Sequence, residues 1–92
     1  MDITYDEAKR LQTLEKRGLD FRSADQVFSG WCLTVEDDRR DYGEVRYQTL
    51  GQLDDDVLMV VWTPRGNGRR IISMRKCHGQ ELENYRARVG GP

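Results

Sequence analysis

The sequence predicts an α+β domain with two N-terminal helices, an antiparallel β-sheet meander of about four strands and a C-terminal helix. Three observations carry this prediction. Apolar residues recur at helical spacing near the start, the period falls to two from Trp31 onward, and strong turn signals cut the second half into strand-length pieces. The 92 residues suffice for one hydrophobic core, and no repeat or linker divides them, so residues 1–92 read as a single domain.

Each element has a local cause. Ile3, Thr4 and Tyr5 form a short β-type stretch, and Asp6 is placed to cap a helix over residues 7–17 that Gly18 ends. Ala8, Leu11 and Leu14 share one face of that helix, expected to point inward, with Lys9, Arg10 and Glu15 outside. A second helix starts within residues 21–26, where Ser23 and Gln26 have capping-box spacing and Ala24, Val27 and Phe28 supply an inward face up to Gly30. Trp31, Leu33 and Val35 then alternate with polar or small neighbours, as in a strand with one buried face, and residues 36–43 are a polar connection. Further strands are expected over residues 44–50, 57–63 and 69–76, separated by an aspartate-rich turn within residues 51–56 and by Pro64 to Gly68. The strand over residues 57–63 is apolar on both faces and therefore central. A last helix over residues 80–88 turns Leu82, Tyr85 and Val89 inward, and residues 90–92 are expected to fray.

Charge is unevenly spread beneath a formal net of −1. Residues 1–63 hold 8 Lys/Arg against 14 Asp/Glu, a net of −6, whereas residues 64–92 hold 7 against 2, a net of +5. A basic end on an acidic body can focus a local field on an anionic ligand. Cys32 and Cys77 are far apart, no apolar leader or membrane-length segment is present, and the chain reads as a cytoplasmic protein with reduced thiols and no membrane partner. No cofactor motif or metal-ligand spacing stands out. Cys77 and His78 adjoin without further ligands, and Asp54, Asp55 and Asp56 read as a solvated turn.

The cationic run that includes Arg69, Arg70, Arg75 and Lys76 lies on a strand, which would hold guanidinium forks more firmly than a loop, and so suggests a phosphate-binding device. Strand alternation would put Arg75 on one face with Ile71 and Ser73. Its ordinary alternative is an ion pair with an Asp or Glu across the sheet. Arg65, in the turn before that strand, is either a phosphate clamp or a solvated turn residue. Lys16 and Arg17 close the first helix, where positive charge suits the helix dipole. Glu44 and Arg46 stand two apart, the spacing of an exposed ion pair or of a proton acceptor beside a cation. Tyr85 shares a helix face with Glu81 and reads more readily as core than as a base-stacking group. His78 is the only imidazole, at a strand-to-helix junction.

Four segments, Tyr5-Asp6-Glu7-Ala8-Lys9, Lys16-Arg17-Gly18-Leu19-Asp20-Phe21, Asp41-Tyr42-Gly43-Glu44-Val45-Arg46 and Arg70-Ile71-Ile72-Ser73-Met74-Arg75-Lys76, are followed by Glu81 and Tyr85. In this order and spacing they resemble the BrnT family, ribonuclease toxins of bacterial type II toxin–antitoxin pairs, over nearly the whole chain. The resemblance implies a RelE-like fold, an RNA substrate and a BrnA-like ribbon-helix-helix antitoxin as partner. One position departs from the family's pattern: the residue after Lys16 is commonly His and is Arg17 here. Metal-independent RNA cleavage needs stabilisation of an anionic phosphorane together with a proton acceptor and donor, the ribose 2′-hydroxyl being the nucleophile. On that implied chemistry, Arg75, Arg65, Lys16 and Glu44 are the candidate catalytic residues, and Arg46, Arg70, Lys76, Arg17 and Tyr85 the candidate RNA-binding ones. A second reading, drawn from the low net charge and from Arg17, is a non-catalytic module that binds nucleic acid or protein.

Overall fold

The computed structural model describes residues 2–89; the expected fraying of residues 90–92 lies outside them. Its elements in order are β1 (Ile3–Tyr5), α1 (Glu7–Arg17), a single 3₁₀ turn (Phe21–Ser23), α2 (Ala24–Ser29), β2 (Cys32–Glu36), β3 (Tyr47–Leu53), β4 (Asp56–Arg65), β5 (Gly68–Lys76) and α3 (Gly79–Val89). This is the predicted α+β order, with α1 bounded as its punctuation requires. The Asp6 side chain accepts the Lys9 N–H at 3.1 Å, and Gly18 adopts φ 69° while its N–H donates to the Leu14 carbonyl.

The sheet has five strands in the order β1-β5-β4-β3-β2, mixed rather than purely antiparallel. β2 to β5 form the predicted meander, and β1 adds a parallel edge, pairing with β5 only from Arg69 to Ile71. β4 is central and buried on both faces, as its continuous apolar run demands. On one face, Phe21, Ala24 and Val27 pack on Leu58, Val60, Ile71 and Met74; on the other, Tyr85 and Leu82 of α3 pack on Val57, Met59, Val61 and Cys77. Helices therefore cover both faces.

Several expectations are corrected. The Ala8, Leu11 and Leu14 face of α1 points to solvent, Leu11 being 51% exposed, whereas Arg10, expected outside, is the one buried residue of the helix. Phe21, Ala24 and Val27 already fill the face that α1 would cover, and α1 is held instead by the Arg10 guanidinium, 2.6 Å from Glu7 and 3.1 Å from Asp20. Ser23 makes no capping bond; Asp20 caps the 3₁₀ turn by accepting the Arg22 N–H at 3.0 Å. β3 begins at Tyr47, not Glu44, because residues 37–46 form an irregular loop organised around Asp37. The buried Asp37 carboxylate accepts from Arg39 and from the Tyr42 hydroxyl, and its N–H donates to the Arg46 carbonyl. The turns are also shorter than expected, two residues each, with Gly66 at φ 59° providing the left-handed conformation in the β4–β5 hairpin.

A bulge opposite Val61 and Trp62 leaves Ile72 unpaired on β5. The extra residue moves Ile71 to the α2 face with Met74, so Arg75 shares its face with Ser73 and α3 but not with Ile71. Because β1 stops opposite Ile71, the last part of β5 has an edge without a neighbouring strand among the described residues, and the candidate site lies there.

Candidate active site

Where β5 runs out, its bare edge meets the end of α1 and the start of α3. A cavity of about 390 Å³ opens at this junction, lined by Arg17, Leu19, Arg75, Lys76 and His78. The local sequence places each group. Gly18 ends α1 so that Arg17 projects across the β5 edge, where its Nη1 donates to the Met74 carbonyl at 2.7 Å. That carbonyl points to the unpaired side of the strand, and the guanidinium supplies the partner a further strand would have offered.

Arg75 is committed to a carboxylate. Its Nη1 and Nη2 donate to the two Glu81 oxygens at 2.5 and 3.0 Å, and also to the Lys76 carbonyl at 3.2 Å and the Met59 sulfur at 3.4 Å. Of the five N–H donors of an arginine, only Nε–H is left without a contact among the described residues. The forked bond holds the Glu81 carboxyl below the ordinary carboxylate range and raises Arg75 further above its usual value. The side chain is nonetheless 39% exposed and borders open space, so it is neither deep nor sealed. Glu81 also accepts the His78 backbone N–H at 3.2 Å, the reach-back bond of a glutamate at the third position of a helix. One carboxylate thus fixes Arg75, starts α3 and sets the backbone of His78 at the cavity wall. Lys76, 49% exposed, lies 3.5 Å from Asp56 and lines the same cavity.

The remaining predicted site residues lie elsewhere. Lys16 is exposed and does not line the cavity, because one residue along a helix turns the side chain about 100° away. Glu44 sits between Arg46 at 3.2 Å and Arg65 at 3.9 Å, and the Arg46 guanidinium lies 4.0 Å above the Tyr42 ring. This ion-paired cluster belongs to the opposite end of β5, where Arg65 pairs with Gly68, about 25 Å along the strand from Lys76. Arg70 stands in that same half of β5, between Thr4 and Thr63. Tyr85 is core, 3% exposed, with its hydroxyl donating to the Trp31 carbonyl at 3.0 Å. The structure therefore brings together Arg75, Lys76 and Arg17 from the predicted set and separates Arg65, Glu44, Arg46, Arg70, Lys16 and Tyr85 from them.

His78 and Glu81, which are not among the candidate residues the sequence offers, join the site. The spacing of Glu81 three residues after His78, at the start of an amphipathic run, is a helix-start signal that could have placed them both. Cys77, between Lys76 and His78, points into the second core, and burial pushes its thiol up to about 11, which keeps it protonated near neutrality. Both cysteines are free. Among the described residues no three His, Cys, Asp or Glu side chains gather as a metal site would require, and no helix is long and apolar enough to cross a membrane.

Comparison with curated proteins gives no match. A family model described as the ribonuclease toxin BrnT of type II toxin–antitoxin systems matches residues 5–81. The match spans every residue lining the cavity and ends at the carboxylate that organises it. On that coverage the chain belongs to the BrnT family of ribonuclease toxins.

Proposed function

We propose that the cavity at the end of β5 is the ribonuclease centre, and that it cleaves RNA without a metal by in-line attack of the ribose 2′-hydroxyl on the adjacent phosphodiester. The observation that carries this reading is the convergence of Arg17, Arg75, Lys76 and His78 on one open cavity, from two ends of the chain. A phosphate seated there meets Arg17, whose guanidinium has one donor committed to a carbonyl and no carboxylate partner among the described residues. Lys76 adds a second cation, and Arg75 adds field more than direct bonds, since Glu81 holds its fork. These charges are fixed before the phosphorane forms, so they oppose its extra negative charge without reorganising. His78 is the proton acceptor: its imidazole can take the 2′-hydroxyl proton, which Glu81, tied to Arg75, is poorly placed to do, while the 5′-oxygen departing on the opposite side takes its proton from water in the open cavity.

The partner follows from the family. A type II toxin is paired with an antitoxin, and we assign that role to a BrnA-like ribbon-helix-helix protein that keeps the nuclease silent until released, when RNA cleavage stops translation and growth. The acidic body of the chain supports a basic docking segment on the partner.

Incubation of purified protein with RNA in EDTA tests the chemistry. Fragments ending in 2′,3′-cyclic phosphate are expected, together with a loss of about 100-fold or more in Arg17→Ala and a smaller one in Arg75→Ala, whose fork is already held by Glu81. Intact RNA in antitoxin-free preparations, or cleavage that EDTA abolishes, overturns the proposal.

A further inference from the structure

At the other end of β5, on the face covered by α2, Arg69 lies between two rings. Its Cζ is 4.0 Å from the centroid of Phe28 and 4.9 Å from that of Trp62. Tyr47 extends the group, its ring 4.9 Å from Trp62 with 33° between the planes. Sheet register brings them together: Tyr47 on β3 is the partner of Trp62 on β4, and Arg69 on β5 is the partner of Pro64, two residues further along β4. Phe28, near the end of α2, closes the stack with its ring edge-on to Trp62. The Trp62 indole N–H is held by the Thr49 hydroxyl at 2.8 Å, so the platform is fixed in orientation.

The charge on this platform is uncompensated. Among the described residues no ion pair or hydrogen bond engages the Arg69 side chain, and its Nε is buried without a partner. Asp25 lines the adjoining groove with Phe28, Ser29 and Arg69 but forms no ion pair with the guanidinium. Stacking on aromatic rings accounts for how Arg69 is held. A cavity of about 590 Å³ opens in front of it, bordered by Thr34, Tyr47, Trp62, Pro64, Asn67 and Arg69.

We infer that this corner is a nucleotide-binding subsite for single-stranded RNA: a base stacks on the Tyr47 and Trp62 platform while an adjoining phosphate takes the free donors of Arg69. The inference rests on the ribonuclease reading above and deepens it. A nucleotide presents a flat ring and an anion within one residue, which matches an aromatic wall carrying an unpaired guanidinium; an apolar peptide side chain would leave that cation unmatched. Stacking accepts any base, so the subsite adds affinity without sequence preference. Arg69 and Arg75 are six residue steps apart on β5, about 20 Å, so the base held here belongs to a nucleotide several positions from the bond being cut.

The chain has two tryptophans, and Trp31→Phe leaves Trp62 as the sole tryptophan, excited selectively over the tyrosines at the red edge of the absorption band. That protein is titrated with a short single strand of 2′-O-methyl RNA, which cannot be cleaved because its nucleophile is blocked. Quenching of Trp62 emission is expected, with affinity falling about 5- to 100-fold in Tyr47→Ala and in Arg69→Gln, and retained in Tyr47→Phe, whose ring still stacks. Unquenched emission, or equal affinity in Tyr47→Ala and Arg69→Gln proteins of native circular dichroism, overturns the inference. So does quenching by aromatic peptides but not by the RNA, which would make the platform a protein-docking site. The two readings fail separately. RNA cleavage without Trp62 quenching removes the platform alone, and quenching that persists in a protein cutting no RNA removes the proposed chemistry alone.

Discussion

Replacing Arg17 by alanine, with its neighbour Lys16 replaced as the control, separates an organised site from a merely basic surface. Both residues are cations in the last turn of α1, and only Arg17 reaches the cavity. The charges of Arg75 and Lys76 are offset by Glu81 at 2.5 Å and Asp56 at 3.5 Å, so Arg17 brings the one lining guanidinium without a described carboxylate partner. Removing a preorganised donor from a developing anion costs roughly 100- to 1000-fold in rate. The lost bond to the Met74 carbonyl costs about 1 kcal/mol of stability, too little to unfold an ordinary domain. Single-turnover cleavage of a fluorescent oligoribonucleotide, alongside thermal melts, should therefore show Arg17→Ala at about 1% of wild-type rate or less while still folded. Lys16→Ala should stay within about fivefold, the scale of one solvent-screened charge. Arg17→Lys, which keeps charge but not the fork, should recover part of the rate. Comparable losses in Arg17→Ala and Lys16→Ala, or an Arg17→Ala protein within a few-fold of wild type, would refute the reasoning.

Other expectations follow from particular contacts. Glu44→Gln should leave the cleavage rate within a few-fold of wild type, because Glu44 is bound to Arg46 and Arg65 far from the cavity; a drop of 100-fold would restore it as a base. Asp37→Asn should lower the melting temperature at neutral pH. The Arg39 hydrogen bonds depress the Asp37 pKa, so its stabilisation is complete above the unfolded value of about 3.9 and is lost as pH falls towards the folded one. The gap between wild-type and Asp37→Asn melts should accordingly close in acid, and a gap independent of pH would contradict the assignment. Gly51→Ala should cost about 1–3 kcal/mol in denaturant titrations, since the added Cβ would sit 2.8 Å from a Val27 methyl and 3.0 Å from the Val27 carbonyl oxygen.

Where a single residue decides local structure, the chain was legible without coordinates. Asp6 and Gly18 bracket α1, the two-faced apolar run of β4 announces its central place, and Leu82, Tyr85 and Val89 face inward as their spacing says. Legibility failed where two segments compete for the same surface. Nothing in the Leu11 and Leu14 stripe reveals that Phe21, Ala24 and Val27 take the sheet face first, nor that Arg10 is buried between Glu7 and Asp20. The same holds for the bulge at Ile72, an offset that alternation along β5 cannot register. At the site, Arg75 and Lys76 were readable because they share a strand, but Arg17 reaches them across 57 residues to the Met74 carbonyl. Alternation places Glu44 at the start of a strand, and the Asp37-centred loop takes it out of the sheet. Tyr85, a candidate RNA-binding residue by sequence, has a buried ring and an engaged hydroxyl and so belongs to the core, the other use its helix position allows.

A nucleoside vanadate complex mimics the five-coordinate phosphorane, and mapping its binding site by amide chemical shifts tests directly where that charge is stabilised. If the β5-end cavity is the catalytic centre, the largest perturbations fall on Arg17, Met74, Lys76 and His78 and disappear in Arg17→Ala. Perturbations centred on Glu44, Arg46 and Arg65, with His78 and Arg17 unmoved, would contradict it.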